Sequence, residues 1–251
     1  MQPEKISSRK NPYIVHLRAL AADGDYRREK REYLCDGMKL LREALLNGAE
    51  ILSALWRQGG QTLPLPSGTR EFTADGELFD YASPMKNSPG PVFTLRMPEQ
   101  PPEVGLSNAV ILENVQDPGN VGTVLRSAAA LGIDAVLLCG ACADLYSPKT
   151  ARAAMGALFR QRVIQTDVDG AAELAGRNSL PLLGAALSDG AMDIRQADVK
   201  RAAVAIGSEG RGLSPELLAR CDGQIIIPMT PGSESLNAAA AAAVIMWEMA
   251  R

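Results

Sequence analysis

Apolar residues are distributed along this chain in two textures. From residue 108 to residue 229 they come as short unbroken runs: NAVILENV, DAVLLC, QRVIQT, PLLGAAL, AAVAIG and QIIIPM. Stretches with helical spacing, TVLRSAAALG, KTARAAMGALF and DGAAELAGR, separate most of these runs. A strand covered on both faces needs apolar side chains at consecutive positions, so this rhythm predicts an α/β domain built on a parallel sheet. Upstream, charges, turns and brief apolar pieces are mixed. The stretch REKREYLCDGMKLLREALLNG reads as one helix with apolar positions Met38, Leu40, Leu41, Ala44 and Leu45, ended near Asn47-Gly48 and followed by a strand. Residues 63 to 97 are turn-rich, with apolar pieces at 78–81 and 92–95, and a small α/β unit is expected there. Between the two textures lies MPEQPPEVG, whose three prolines favour an extended connector. The predicted organisation is a small domain over 1–97, a linker over 98–105 and a larger domain over 106–251.

Composition narrows this picture only modestly. With 251 residues and 46% hydrophobic content the chain has ample material for a core, and a net charge of −3 announces no global basic field. Residues 1–34 nevertheless hold eight Lys/Arg against five acidic residues, with Arg27, Arg28, Lys30 and Arg31 clustered; taken alone this reads as a solvated helix face. No apolar leader follows MQPEKISSRK, and the longest charge-free apolar segment, residues 235–247, falls short of the ~18 residues a membrane span requires. A cytoplasmic protein without membrane contact is expected. Cys139 and Cys142 form a CxxC, but no second CxxC and no nearby histidine completes a zinc set, the one histidine being His16. No metal is predicted.

Ligands of a parallel sheet sit beyond the carboxyl ends of its strands, which directs attention to three loops. In ENVQDPGNVGTVLRSAAALG, Asp117-Pro118-Gly119 makes a turn and Asn120 suits the N-cap of a helix running from Val121 to Leu131. Arg126 lies about 600° around that helix from Asn120, and read on helix logic alone it either pairs with a surface acid or reaches on its long stem past the small Ser127, Ala128 and Ala129 to a site. In AIGSEGRGLSPEL, Gly207, Gly210 and Gly212 surround Glu209 and Arg211, and Ser214-Pro215 opens a helix. There is no Walker lysine and no GxGxxG spacing, and Glu209 would repel phosphate, so a neutral or cationic ligand suits this loop. In IPMTPGSESLNAAAAAAVIMWEMAR, Pro231-Gly232 bends the chain, and Ser235 to Asn237 enter an Ala-rich helix.

In order and spacing the three loops together resemble the SpoU, or TrmH-type, RNA ribose 2′-O-methyltransferases of the SPOUT superfamily. The matching motifs are N-x-x-DPxNxGxxxRxAxxxG from Asn114 to Gly132, GxExxG from Gly207 to Gly212, and PMxxxxxSLN from Pro228 to Asn237. SSRKNPYIVHLRAL and the basic stretch after it resemble, less specifically, the family's small RNA substrate-binding domain. The resemblance implies a SPOUT domain whose carboxyl-terminal segment is tucked through a loop as a trefoil knot. It implies S-adenosylmethionine bent into that knot by Ala186, Gly207, Ile227, Met229, Ser235 and Leu236. It also implies a homodimer with RNA at the subunit interface. Ribosomal RNA is favoured over transfer RNA, and a non-catalytic RNA-binding or ribosome-assembly module on the same fold is the competing reading.

The site residues implied are Arg126, Asn120, Glu209, Ser235 and Asn237. A guanidinium cannot accept a proton while charged. Two roles for Arg126 follow, either a neutralised base or a cation that orients RNA phosphate and stabilises the emerging alkoxide, and physical chemistry favours the second. The chain departs from the family pattern at Ala129 and Leu131, where an acidic and an aromatic residue are common, at Ala238-Ala239 in place of Val-Ser, and at Asp36-Gly37 in place of Glu-Gly.

Overall fold

The computed structural model describes residues 3–188, 190–230 and 235–251. Two compact units emerge. The first comprises the chain up to Pro98 together with Asp144–Phe159, and the second comprises Glu99–Ala143 and Arg160–Arg251.

In chain order the first unit contains β1 (Glu4–Ile6), α1 (Pro12–Ala22), α2 (Gly24–Lys30), β2 (Glu32–Asp36), α3 (Met38–Leu46), β3 (Ile51–Arg57), β4 (Arg70–Ala74), α4 (Gly76–Ala82) and β5 (Val92–Arg96). Its five-stranded sheet has the order β1-β4-β3-β5-β2, with β5 antiparallel to both neighbours. Asn11 accepts from the Tyr13 N–H to open α1, with Pro12 in the first turn, where a missing N–H costs nothing. The single helix expected over this region is instead α2, β2 and α3. Arg31 adopts a left-handed conformation (φ 50°) that ends α2, Tyr33, Leu34 and Cys35 are buried in β2, and Gly37 (φ 107°) turns the chain into α3. A five-residue strand with its apolar residues adjacent carries no periodicity to separate it from helix.

The second unit contains β6 (Ala109–Glu113), α5 (Pro118–Leu131) and β7 (Ala135–Cys139). The chain then returns to the first unit, where α6 (Pro148–Ala154) packs on β2. Residues 144–159 therefore depart from the domain limits expected from sequence. Their anchors are the buried Arg27, whose Nε donates to Asp144 Oδ2 at 3.1 Å, and the Tyr33 and Tyr146 rings at 4.8 Å. The remaining elements are β8 (Arg162–Thr166), α7 (Val168–Arg177), β9 (Leu182–Ala185), β10 (Met192–Asp193), β11 (Ala203–Ile206), α8 (Pro215–Leu218), β12 (Gly223–Ile226) and α9 (Ala238–Ala250).

All seven strands of this sheet run parallel, in the order β10-β12-β9-β11-β6-β7-β8. The six apolar runs are its six longer strands; β10, two residues at the edge, left no run to read. Ile111, Leu137, Ile164, Leu182 and Ala205 join Leu174 of α7 and Leu217 of α8 in one core. The strand order places β6 and β11 side by side, so the chain leaves β6 toward β7 on one side while β11 and β9 fill the other. At such a switch point the connections diverge and open a crevice at the carboxyl ends.

Candidate active site

The crevice is built from the ends of adjacent strands. β6 ends at Glu113, only 2% exposed, and Asn114 takes a left-handed conformation (φ 55°). Asn114 Oδ1 accepts from the Ala141 N–H at 2.8 Å, and a side chain at Gly140 would come within 2.6 Å of that oxygen. Asp117, rather than Asn120, caps α5: its Oδ1 accepts from the Asn120 N–H at 2.8 Å. The helix therefore starts at Pro118, and Asn120 lies in its first turn with its side chain free for other bonds. That correction matters, because Asn120 spends its amide on the site.

After β11 the main chain folds back on itself. A Cβ on Gly207 would collide with backbone atoms of Gly212 and Leu213, and the Gly212 N–H donates to the Ser208 carbonyl at 2.8 Å. Only glycine fits at 207. The far end of this loop is pinned by Glu113, whose two oxygens accept from the Ser214 N–H at 2.7 Å and the Ser214 hydroxyl at 2.6 Å. Sequence reading missed Glu113, because its partner lies 101 residues away.

The third segment joins the other two through one carboxylate oxygen. Glu209 Oε1 accepts from Asn120 Nδ2 at 2.7 Å, from Asn237 Nδ2, and from the Ala238 N–H at 3.3 Å. Asn237 Nδ2 also reaches Asn120 Oδ1 at 3.1 Å, while Asn237 Oδ1 caps α9 through the Ala239 and Ala240 N–H groups. Asn237 is thus both the helix-start residue and a site residue. Pro231-Gly232, expected to bend this segment, lies outside the described residues.

Two cavities flank the cluster. The first, about 550 Å³, is walled by the segments after β9, β11 and β12 and by α9. Ala186, Gly207, Ile227, Met229, Ser235 and Leu236 all line it. The second, about 480 Å³, lies beyond β6, β7 and β11 and is lined largely by polar residues. Ser208 to Arg211 border both. Arg126 lines neither; it is exposed on α5 and, among the described residues, its guanidinium makes no hydrogen bond or ion pair. The structure thus gathers Asn120, Glu209 and Asn237, sets Ser235 on the first cavity, and leaves Arg126 apart.

Cys139 is buried, which pushes its thiol up to about 11, and the Cys142 thiol is also raised by burial while donating to the Leu112 carbonyl at 3.2 Å. Neither has the lowered thiol pKa of a reactive cysteine. Among the described residues no three of His, Cys, Asp and Glu gather as a metal site, and no helix is long and apolar enough to cross a membrane.

A parallel sheet with ligand-sized cavities at its switch point, ringed by a glycine loop and a bonded Asn-Glu-Asn cluster, is the architecture of an α/β protein that binds small molecules at the carboxyl ends of its strands. The chain belongs to the SpoU rRNA methylase family, whose model matches residues 107–247, and it is a methyltransferase. It is 32% identical to an uncharacterized tRNA/rRNA methyltransferase of Synechocystis, over 98% of this chain and 93% of that protein. It is 28% identical to the 23S rRNA (guanosine(2553)-2′-O)-methyltransferase RlmP of Bacillus subtilis, over 98% and 99% of the respective chains. The crystal structure of the SpoU methyltransferase AviRb from Streptomyces viridochromogenes with AdoMet superposes with a TM-score of 0.83 at 25% identity, covering 96% of this chain and 98% of that one.

Proposed function

We propose that the protein transfers a methyl group from S-adenosylmethionine to a ribose 2′-hydroxyl of ribosomal RNA, in the cytoplasm and as a homodimer. The observation that carries this reading is the Asn120–Glu209–Asn237 cluster, which ties three strand-end segments together beside a cavity of nucleoside size. That cavity suits the donor: its volume lies in the ~300–1,000 Å³ range of small-molecule sites, and Ile206, Ile227, Leu236 and Ile245 give it apolar walls for a purine. When bound, S-adenosylmethionine supplies an electrophilic methyl group on a sulfonium centre. Ala186, Gly207, Ile227, Met229, Ser235 and Leu236 would hold it, with the segment after β12 threaded through a loop as a trefoil knot.

The chain's own residues then position the acceptor. Three N–H donors on one oxygen of Glu209 fix its carboxylate beside the donor cavity. Arg126 lines neither cavity of its own chain, so its guanidinium acts across the dimer. There it orients RNA phosphate and stabilises the alkoxide as the hydroxyl proton leaves to solvent. A row of Ala240, Val244 and Trp247 on α9, with Val244 39% and Trp247 60% exposed, supplies an apolar surface for the second copy. In the first unit, Arg9 and Arg18 lie 4.8 and 5.0 Å from the exposed Tyr81 ring. Aromatic and cationic groups together suit RNA, and this unit serves as the substrate-binding domain.

The test is to incubate pure protein with labelled S-adenosylmethionine and ribosomal or transfer RNA transcripts, then map ribose methylation. Label on a ribosomal 2′-oxygen is expected. Label confined to a base, or to transfer RNA, contradicts the assignment. Trp247→Glu should shift the protein to a monomer in light scattering; an unchanged mass would remove α9 from the interface.

A further inference from the structure

The second cavity has no part in the reading above. It sits at the divergence of β6 and β11, and its lining is of a different chemical kind from the first: Asn114, Gln116, Asp117 and Asn120 on one wall, Ser208 to Arg211 on the other. Because that second wall also borders the first cavity, molecules placed one in each would touch the same four residues.

The polar groups divide into those the protein uses and those it does not. Asn114 Oδ1 is taken by the Ala141 N–H, Asp117 Oδ1 by the Asn120 N–H, and Asn120 and Glu209 hold each other. The Gln116 amide and the Arg211 guanidinium make no side-chain hydrogen bond among the described residues. Two exposed multi-donor side chains, without a protein partner among the described residues, therefore rim a cavity whose other walls are held by hydrogen bonds within the protein. A ligand made of flat, hydrogen-bonding edges suits it better than an apolar one.

We propose that this second cavity receives the target ribonucleotide turned out of its stack, with Gln116 and Arg211 reading the edge of its base. The inference rests on the assignment of the first cavity to the methyl donor. Its logic is geometric: a cavity of about 480 Å³ takes one nucleotide and not a helix, so the reacting ribose must leave the stack to come beside the donor. With the base seated between Gln116 and Arg211, the sugar lies toward the shared wall, where Asn120 and Glu209 meet.

Gln116 lines only the second cavity, whereas Arg211 lines both, so the two variants separate nucleotide reading from donor binding. The full-length protein and its Gln116→Ala and Arg211→Gln variants are titrated with S-adenosylmethionine by calorimetry. They are then assayed on ribosomal RNA transcripts carrying each of the four bases at the mapped target. For Gln116→Ala, unchanged donor affinity, a KM for RNA raised about tenfold through loss of one hydrogen-bonded contact, and weaker discrimination among the four transcripts are expected. Arg211→Gln should lower discrimination further. If the wild type binds donor and methylates RNA while both variants keep its KM and its base preference, the second cavity is not the nucleotide site and the donor assignment stands. If the wild type binds no donor, both assignments fall.

Discussion

In the first unit the sheet mixes parallel and antiparallel strands, and polar side chains run through its interior: Tyr13 donates to Ser53 at 2.9 Å, Ser53 pairs with Thr94 at 2.7 Å, and Asp36 accepts from Ser83 at 2.6 Å. The second unit, with seven parallel strands, buries only apolar side chains within its strand interiors among the described residues. Of the eight buried polar or charged residues among those described, seven (Arg27, Asp36, Ser53, Ser83, Ser88, Thr94 and Thr150) belong to the first unit, and Glu113 alone to the second. Glu113 occupies the last position of β6, where loop N–H and hydroxyl groups are within reach. The contrast follows from cover. Strands sandwiched between helices have no spare donors along their length, so a polar group survives there only at a strand end. Buried polarity therefore means different things in the two units: internal wiring in the first, and the foundation of a reactive crevice in the second.

Substitutions at matched sites sharpen or break that contrast. The largest effect is expected at Arg126, whose exposed side chain has no bonded partner among the described residues. Arg126→Ala should retain its melting temperature and donor affinity while turnover drops about 10²–10³-fold, the loss typical of one charge-stabilising group. Wild-type methylation by that variant would remove Arg126 from the chemistry. Gly207→Ala should cost about 3 kcal/mol or more, because the new methyl meets main chain that cannot step aside. It should also abolish donor binding in calorimetry; a normal titration would show that the loop yields.

The paired test comes next. Glu113→Gln and Asp36→Asn each weaken a buried, doubly bonded carboxylate, at about 1–3 kcal/mol apiece in denaturant unfolding. Donor affinity should fall with the first and hold with the second; equal affinities would erase the distinction between the units. The smallest effect concerns pH. Burial pushes the Glu32 carboxyl up, but hydrogen bonds from His16 and Thr94 outweigh it and leave the group below its usual value. A carboxyl depressed in the folded state contributes stability above its unfolded pKa that is lost as pH falls through the folded one. Asp36, raised chiefly by burial, works the other way, its contribution fading as pH rises through the folded value. Glu32→Gln should therefore flatten the acid limb of the stability profile of the first unit, and an unaltered limb would take Glu32 out of it.

The parts of this molecule legible in the sequence are those whose cause is local. β7, β9 and β11 are unbroken runs of apolar residues and glycine, β6 is one up to Glu113, β8 and β12 hold shorter apolar pieces, and the caps at Ser214 and Asn237 lie next to the helices they open. Illegible parts have causes far along the chain. The attachment of residues 144–159 to the first unit depends on Arg27, 117 positions before Asp144, and the clamp on Ser214 depends on Glu113. β2 was hidden inside a helical pattern because Tyr33-Leu34-Cys35 is too short to show a period. Asp117 and Asn120 are both good caps, and composition alone cannot rank them; the proline at 118 decides, since it belongs in the first turn.

The detour at residues 144–159 also bears on how such a molecule is divided or inherited. The polypeptide passes from one unit to the other three times, at 98/99, 143/144 and 159/160. Severing it after Pro98 would not release a self-sufficient carboxyl-terminal enzyme, since Thr150, Ala151 and Ala154 would lose the neighbours that keep them dry. An amino-terminal module exchanged for another would have to cover the same three side chains, which lie within the stretch that the methylase family shares.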